Sequence, residues 1–159
     1  MKWPAKIVPG TIVDEPVAHI DLMPTMAAVA QAELPQEVEI DGQNLLPVTL
    51  GTGSLKRADD ALYWQSGRTR VVRAGGWKLQ VEGRRDKKWL FDLANDPTEQ
   101  SNLAVSRPDK LKELQALLDR HQAGSRELLW HPTTERPTAV DKTRAQRVEP
   151  GDEVVYWPN

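Results

Sequence analysis

The chain of 159 residues contains no cysteine. That excludes disulfides and thiolate metal sites, and it leaves the redox compartment unread. No stretch approaches the roughly 18 apolar residues that span a bilayer, so no membrane segment is expected. The start, Met1-Lys2-Trp3-Pro4, has no apolar run behind its lysine and does not read as a signal peptide. A strong net charge is also missing. The formal balance of −2 gives no global reason to bind nucleic acid or an anionic membrane. Proline and glycine, in contrast, are plentiful, at twelve and ten. Much of the chain therefore reads as loop around a modest core, in one domain or in one domain with an appendage.

The near-neutral total hides an uneven distribution. Residues 1–50 hold two Lys and seven Asp or Glu, whereas residues 55–90 hold ten Lys or Arg and four Asp or Glu. A basic stretch of this kind is either a solvated face or a surface that meets an anionic ligand.

Thr11-Ile12-Val13 follows a Pro9-Gly10 turn as a short extended run. A first helix is expected from Asp21, with Asp21 as N-cap, Pro24 in the first turn and Pro35 as its end. Met23, Met26, Ala27, Ala30 and Leu34 would form its apolar face. Residues 36–60 read as a loop, with Leu45-Leu46-Pro47 pinning it to a core. Four strands follow, at Ala61 to Gln65, Thr69 to Arg73, Trp77 to Val81 and Lys88 to Leu93. The breaks between them carry Gly67, Gly75-Gly76 and Gly83, which favours an antiparallel meander. In the third strand Trp77, Leu79 and Val81 share a face, and Lys78 and Gln80 share the other. Ser106, Pro108 and Asp109 mark the start of a second helix, with an apolar stripe of Leu111, Leu114 and Leu118, Leu117 beside it, and a stop at Gly124. Trp77 and Trp89 are assigned to packing one sheet face against this helix. Asp96-Pro97 with Glu99 and Asn102 reads as a turn leading to a helix, its polar groups satisfying local backbone. The last residues read as an irregular tail.

Five phrases occur in order. They are Trp3-Pro4-Ala5-Lys6-Ile7-Val8-Pro9-Gly10-Thr11; Pro16-Val17-Ala18-His19-Ile20-Asp21-Leu22-Met23-Pro24-Thr25; Asp41-Gly42-Gln43-Asn44-Leu45-Leu46-Pro47; Thr69-Arg70-Val71-Val72-Arg73-Ala74-Gly75-Gly76-Trp77-Lys78-Leu79; and Leu90-Phe91-Asp92-Leu93-Ala94-Asn95-Asp96-Pro97-Thr98-Glu99, running on to Asn102-Leu103-Ala104. Their order and spacing over residues 3–118 resemble the carboxy-terminal third of sulfatases of the alkaline phosphatase superfamily. The resemblance implies an α+β fold. A small antiparallel four-stranded sheet would be packed by a carboxy-terminal helix, preceded by a helix and loops from the end of a larger α/β domain. Residues 1–60 would be the tail end of that catalytic domain, 61–124 the sheet-and-helix subdomain, and 125–159 the irregular tail. The activity implied is sulfuric ester hydrolysis, with this portion closing one side of the active-site cleft. The complete enzyme would need calcium and a formylglycine made from a C/S-x-P-x-R motif. It would act on a sulfated small molecule or glycan, in the periplasm or outside the cell. No cofactor is assigned to this chain.

None of the family's catalytic elements stands at its place in this sequence. Ser106-Arg107-Pro108-Asp109-Lys110 ends in Lys rather than Arg and reads as a helix start, and Asp59-Asp60 reads as solvated loop charge. No catalytic residue and no metal ligand is therefore assigned, and the chain alone is expected to be inactive. His19 and Asp21 both have metal-binding side chains, but two ligands do not make a site. His121 and His131 lack partner spacing and read as surface residues. Arg68, Arg70, Arg73 and Lys78 are the candidates for substrate contact, because guanidinium and ammonium groups suit sulfate oxygens. His19 is added as a residue near the pocket of a complete enzyme. Two other readings stay open at this point, a stand-alone module binding anions or sulfated glycans and a piece of a related phosphate or phosphonate ester hydrolase.

Overall fold

The computed structural model describes residues 1–126, 135–143 and 145–158; His131 lies outside them. The chain divides into two compact units, Met1–Asp60 and Ala61–Asn159.

In the first unit, a 3-10 turn at His19–Asp21 runs into helix α1 (Leu22–Ala30), and a four-residue helix α2 (Leu46–Thr49) interrupts the expected loop. Asp21 is not a side-chain N-cap: no helix amide bonds to it. Its carboxylate is turned to loop groups, as described below. Helix α1 also stops before Pro35. Gln31 takes a left-handed conformation (φ 55°) and the amide of Ala32 bonds back to Ala27, so the helix has ended before proline can break it. Leu34 therefore lies beyond the helix. Of the expected apolar face, Met23 and Met26 are 47% and 64% exposed, while Ala27 and Leu34 are half-buried. Leu45 is buried, as its place in the pinned loop requires.

The second unit is built on β1 (Ala61–Ser66), β2 (Thr69–Ala74), β3 (Trp77–Glu82) and β4 (Lys87–Asp92), paired antiparallel in sequence order. Ser66 pairs with Thr69 and Ala74 with Trp77. Each of these two-residue turns opens on a glycine at positive φ, Gly67 (56°) and Gly75 (54°). Glycine first is what a type II′ hairpin requires, because a side chain there would meet the backbone. Tyr63, Val72, Leu79 and Leu90 fall in one cross-strand row. Helix α3 (Pro108–Ala123) covers that row with Leu114, Leu117 and Leu118. Each fully buried leucine contributes about 1.5–3 kcal/mol, which makes this layer the main core of the unit. The expected α+β arrangement of sheet and helix is what the chain adopts.

Three details differ from the sequence reading. Ser106 does not cap α3. The N-cap is Arg107, and the Ser106 hydroxyl instead donates to the Leu103 carbonyl at 3.4 Å. Trp89 does not share the helix face with Trp77. It lies in the next row with Trp64, Val71 and Gln80 on the opposite face, where it and Phe91 pack on Val155. Trp77 stays on the α3 side, with the Arg107 guanidinium 5.2 Å from its ring. Finally, the irregular tail is corrected within the described residues by β5 (Glu135–Ala139) and β6 (Val154–Pro158), an antiparallel pair. Val155 is the residue that carries this pair onto the second face of the main sheet.

Candidate functional site

Strand alternation splits the four basic candidates. Arg70 points to the α3 side, where Nη1 donates to Gln122 Oε1 and stands 4.0 Å from Asp119. Arg68 is exposed in the β1–β2 turn, and its carbonyl accepts the Gly83 amide at 3.1 Å. Arg73 and Lys78 come together on the face opposite α3, directly across the β2–β3 pair. His19 belongs to the other unit, where it is exposed at the start of the 3-10 turn.

Arg73 and Lys78 line a groove of about 520 Å³ together with Trp64, Gln80, Leu93 and Glu99. Like charges directly opposite on one sheet face repel, and Glu99 answers part of that repulsion. Lys78 Nζ donates to both Glu99 oxygens, at 2.7 and 2.6 Å. Arg73 Nε, by contrast, is buried with no hydrogen-bond partner among the described residues.

The loop after β4 is built to bring Glu99 there. The Asp96 carboxylate accepts amides of Gln100 (3.1 Å) and Ser101 (2.8 Å). Those two bonds hold its carboxyl below the usual range against a small opposing effect of burial. The tight turn leaves Glu99 in the left-handed region, φ 59°, a conformation that non-glycine residues take only where their surroundings require it. Asn102 then fastens the loop to β4. Its Oδ1 accepts the amides of Leu90 and Ala104, each at 3.0 Å, and its Nδ2 donates to the Lys88 carbonyl at 3.1 Å. The Leu103 amide adds a bond to the Leu90 carbonyl at 2.8 Å. Asn102 thus satisfies the outer edge of β4 as another strand would. Replacing Asn102 by Ala should cost about 1–3 kcal/mol, because edge groups lose their partners. Chemical denaturation and faster exchange of the Leu90 amide would register it; an unchanged midpoint would show that water replaces the side chain.

Sequence reasoning treated Asp96, Glu99 and Asn102 together as local turn formers. It missed the reach of Glu99 to Lys78, which spans 21 positions and leaves no local pattern. Trp64 and Gln80 were findable, since both follow from strand alternation.

In the first unit Asp21 and Thr25 are engaged in holding the chain together. Asp21 is 0% exposed and is clamped by Arg57, with contacts at 2.6 and 3.1 Å. Thr25 Oγ1 donates to the Asp21 carbonyl and accepts the Leu45 amide. Asp59 and Asp60 are exposed at positive φ, 56° and 50°. Among the described residues no group of three or more His, Asp or Glu is placed to hold a metal. The described residues do not form a calcium site, and Ser106, bonded to Leu103 at the foot of α3 and followed by Arg107-Pro108-Asp109-Lys110, does not fit a formylglycine precursor.

Residues 1–126 match the family model described as N-sulphoglucosamine sulphohydrolase, C-terminal. Human arylsulfatase A is 32% identical over 145 residues, covering 72% of this chain and 28% of that protein. Mouse steryl-sulfatase is 25% identical over 175 residues, covering 83% and 28%. A solved structure of a protein in complex with its substrate D-glucosamine-2-N,6-O-disulfate superposes with a TM-score of 0.62 at 26% identity, covering 77% of this chain and 27% of that one. The chain therefore spans less than a third of the length of these relatives.

Proposed function

The chain belongs to the family of sulfatase C-terminal regions, and from that premise we propose that it closes one side of a sulfatase active-site cleft while holding none of the hydrolytic machinery itself. The observation that carries this reading is the use of the family phrases. Asp21, Gly42, Asp96 and Asn102 all serve as backbone fasteners, and each is engaged in holding structure rather than presented to a ligand. The whole protein would hydrolyse sulfuric esters of a small molecule or glycan, with calcium and formylglycine supplied by residues outside this chain.

Residues 1–60 would be the end of the larger catalytic domain. Leu22, Met23, Met26 and Val29 on α1 are 45–64% exposed, an apolar face that suits burial against a further body. Within the second unit, Arg73 and Lys78 are the groups best placed to meet an oxyanion, with Arg68 in the neighbouring turn. Arg70 serves α3 instead. His19 remains a candidate from the first unit.

The purified 159-residue chain should release no product from a chromogenic sulfate ester, with or without added calcium. Turnover above a heat-treated control would overturn the proposal. Mixing with a separately expressed upstream portion that carries a C/S-x-P-x-R motif should restore turnover; a mixture that stays inactive while the two portions associate would count against the cleft-closing role.

A further inference from the structure

We propose that the two hairpin tips at one end of the main sheet form a basic seat for an acidic, extended segment, and that the occupant is residues 33–41 of a second copy of this chain.

The seat follows from the sheet register. Thr69 pairs with Glu82, which sets the β1–β2 tip beside the β3–β4 tip. The Gly83 amide donates to the Arg68 carbonyl at 3.1 Å. A Cβ at Gly83 would come within 2.8 Å of the same oxygen, so the two tips are fastened backbone to backbone. Arg68, Arg84 and Arg85 stand exposed on them. The carboxylate beneath is turned inward. Glu82 is 1% exposed; its Oε1 accepts the Arg84 amide at 2.7 Å and its Oε2 the Arg85 amide at 3.0 Å. It holds the tip in shape and offsets only one of the three arginine charges. The neighbouring carboxylates are matched by lysines, Asp86 at 3.4 Å from Lys88 and Glu153 at 3.8 Å from Lys87. This end of the sheet therefore carries more cation than carboxylate, on guanidinium forks that suit a carboxylate partner.

The segment comes from the acidic first unit. Glu33, Glu37, Glu39 and Asp41 are exposed, and none forms an ion pair with a described residue. The stretch lies between α1 and α2 with no helix or strand, and its backbone makes no hydrogen bond to a described residue. It is held only at its ends, by the Ala32 amide on Ala27 and the Gln43 amide on Asp21. Glu37, Glu39 and Asp41 occupy alternate positions. In an extended chain they share one side, about 6–7 Å apart, with Val38 and Ile40 on the other.

The tips select among polyanions. Gly67, Arg68, Gly83, Arg84, Arg85 and Asp86 include no aromatic or aliphatic residue. A nucleic acid strand finds no ring to stack on, and a bilayer finds nothing to take into its apolar boundary. Carboxylates at alternate positions of a peptide need neither. The uneven charge of this sequence, acidic through residue 50 and basic from 55 to 90, thereby becomes complementary between copies. Each copy offers one seat and one segment, as a self-complementary contact requires.

Sedimentation equilibrium of the full 159-residue chain tests this. The average mass should rise with protein concentration at about 0.01 M salt, where charges act over about 30 Å, and return to the monomer at about 1 M, where they act over about 3 Å. Arg84→Glu with Arg85→Glu should weaken association about tenfold or more, and so should Glu37→Lys with Glu39→Lys, because like charges then face each other. All four reversals in one chain restore the net charge of −2 and should restore association to the level of the parent. Lys112→Glu, on the exposed side of α3, should leave it unchanged. Should the Arg84 and Arg85 reversals prevent folding, Arg68→Glu, alone and combined with Glu37→Lys, makes the same exchange. A parent chain that stays monomeric at low salt overturns the proposal, and so does a combined variant that associates no better than either half. If phosphatidylserine vesicles or a single-stranded oligonucleotide bind the tips more tightly than the chain binds itself, the choice of occupant is overturned. The sulfatase reading is judged separately, on turnover by the reassembled portions.

Discussion

Replacing Asp21 by Asn should destabilise the first unit by about 3–5 kcal/mol, the usual cost of removing one partner from a buried ion pair. Its Oδ1 accepts the Gln43 amide at 2.9 Å and Arg57 Nη1 at 3.1 Å; its Oδ2 accepts the Ala18 amide at 2.8 Å and Arg57 Nη2 at 2.6 Å. One side chain thus joins three stretches of chain that have no sheet between them. Asparagine keeps the size but turns one oxygen into a donor, which then faces Arg57 or an amide donor-to-donor. Arg57 is only 8% exposed in its side chain, so its charge is left without an answer. The double variant Asp21→Asn with Arg57→Met should recover part of the loss, since the stranded charge is then gone. Amide exchange at Ala18 and Gln43 reports the effect directly. Protection unchanged in Asp21→Asn would show that this ion pair does not hold the unit together.

The same carboxylate predicts an acid limb. Burial raises its pKa, but the Arg57 fork and the Ala18 and Gln43 amides outweigh that and hold it below the usual 3.8. Since the folded pKa is the lower one, the contribution of Asp21 is fully present above about pH 3.8 and is lost as pH falls through the folded value. Protection at Gln43 should therefore weaken below that pH in the parent chain, and this part of the slope should vanish in Asp21→Asn.

What the sequence could show about this protein follows the range over which its signals act. The four strands and α3 are written in glycine positions and leucine spacing, local features that the tertiary structure did not overrule. The pairing of Arg73 with Lys78 was equally open to reading, because the two-residue Gly75-Gly76 turn fixes the register. Counting through that register also separates Trp89 from Trp77, a step that grouping the tryptophans by type conceals. The role of Asp21 was not readable in the same way. Its partners lie 22 and 36 positions away, and next to a helix start an aspartate looks like a cap. The β5–β6 pair was hidden by its prolines. Pro137 pairs with Tyr156 and Pro158 with Glu135, which an isolated two-stranded ribbon tolerates because each proline can sit where no ladder donor is required. The groove needed both kinds of information. Alternation places its cations, while Glu99 arrives through a loop whose shape depends on the Asp96 and Asn102 bonds.

Gly42 gives the second large effect. A Cβ built there would lie 2.0 Å from the Ile20 carbonyl oxygen and 2.6 Å from its carbon. Gly42 is not among the residues at positive φ, so the demand is for space and not for an unusual backbone angle. The atoms in the way are backbone. A flexible side chain could swing aside, but the Ile20 carbonyl belongs to the 3-10 turn that sets Asp21 in place. Gly42→Ala must therefore push residues 41–43 away from residues 19–21, and the Gln43 amide moves off Asp21 Oδ1 with them. Overpacking typically costs about 1–3 kcal/mol; here the loss of a charge-assisted bond is added, so about 4 kcal/mol is expected. Because both changes act on one contact, the combination of Gly42→Ala with Asp21→Asn should cost clearly less than the two separate losses together. Full additivity would mean that Gly42 acts on something other than the Asp21 clamp. Gly51→Ala provides the contrast: its added Cβ meets nothing within 4 Å, and the strain there comes only from φ 67°. That substitution should cost about 1 kcal/mol and leave the Gln43 amide protected.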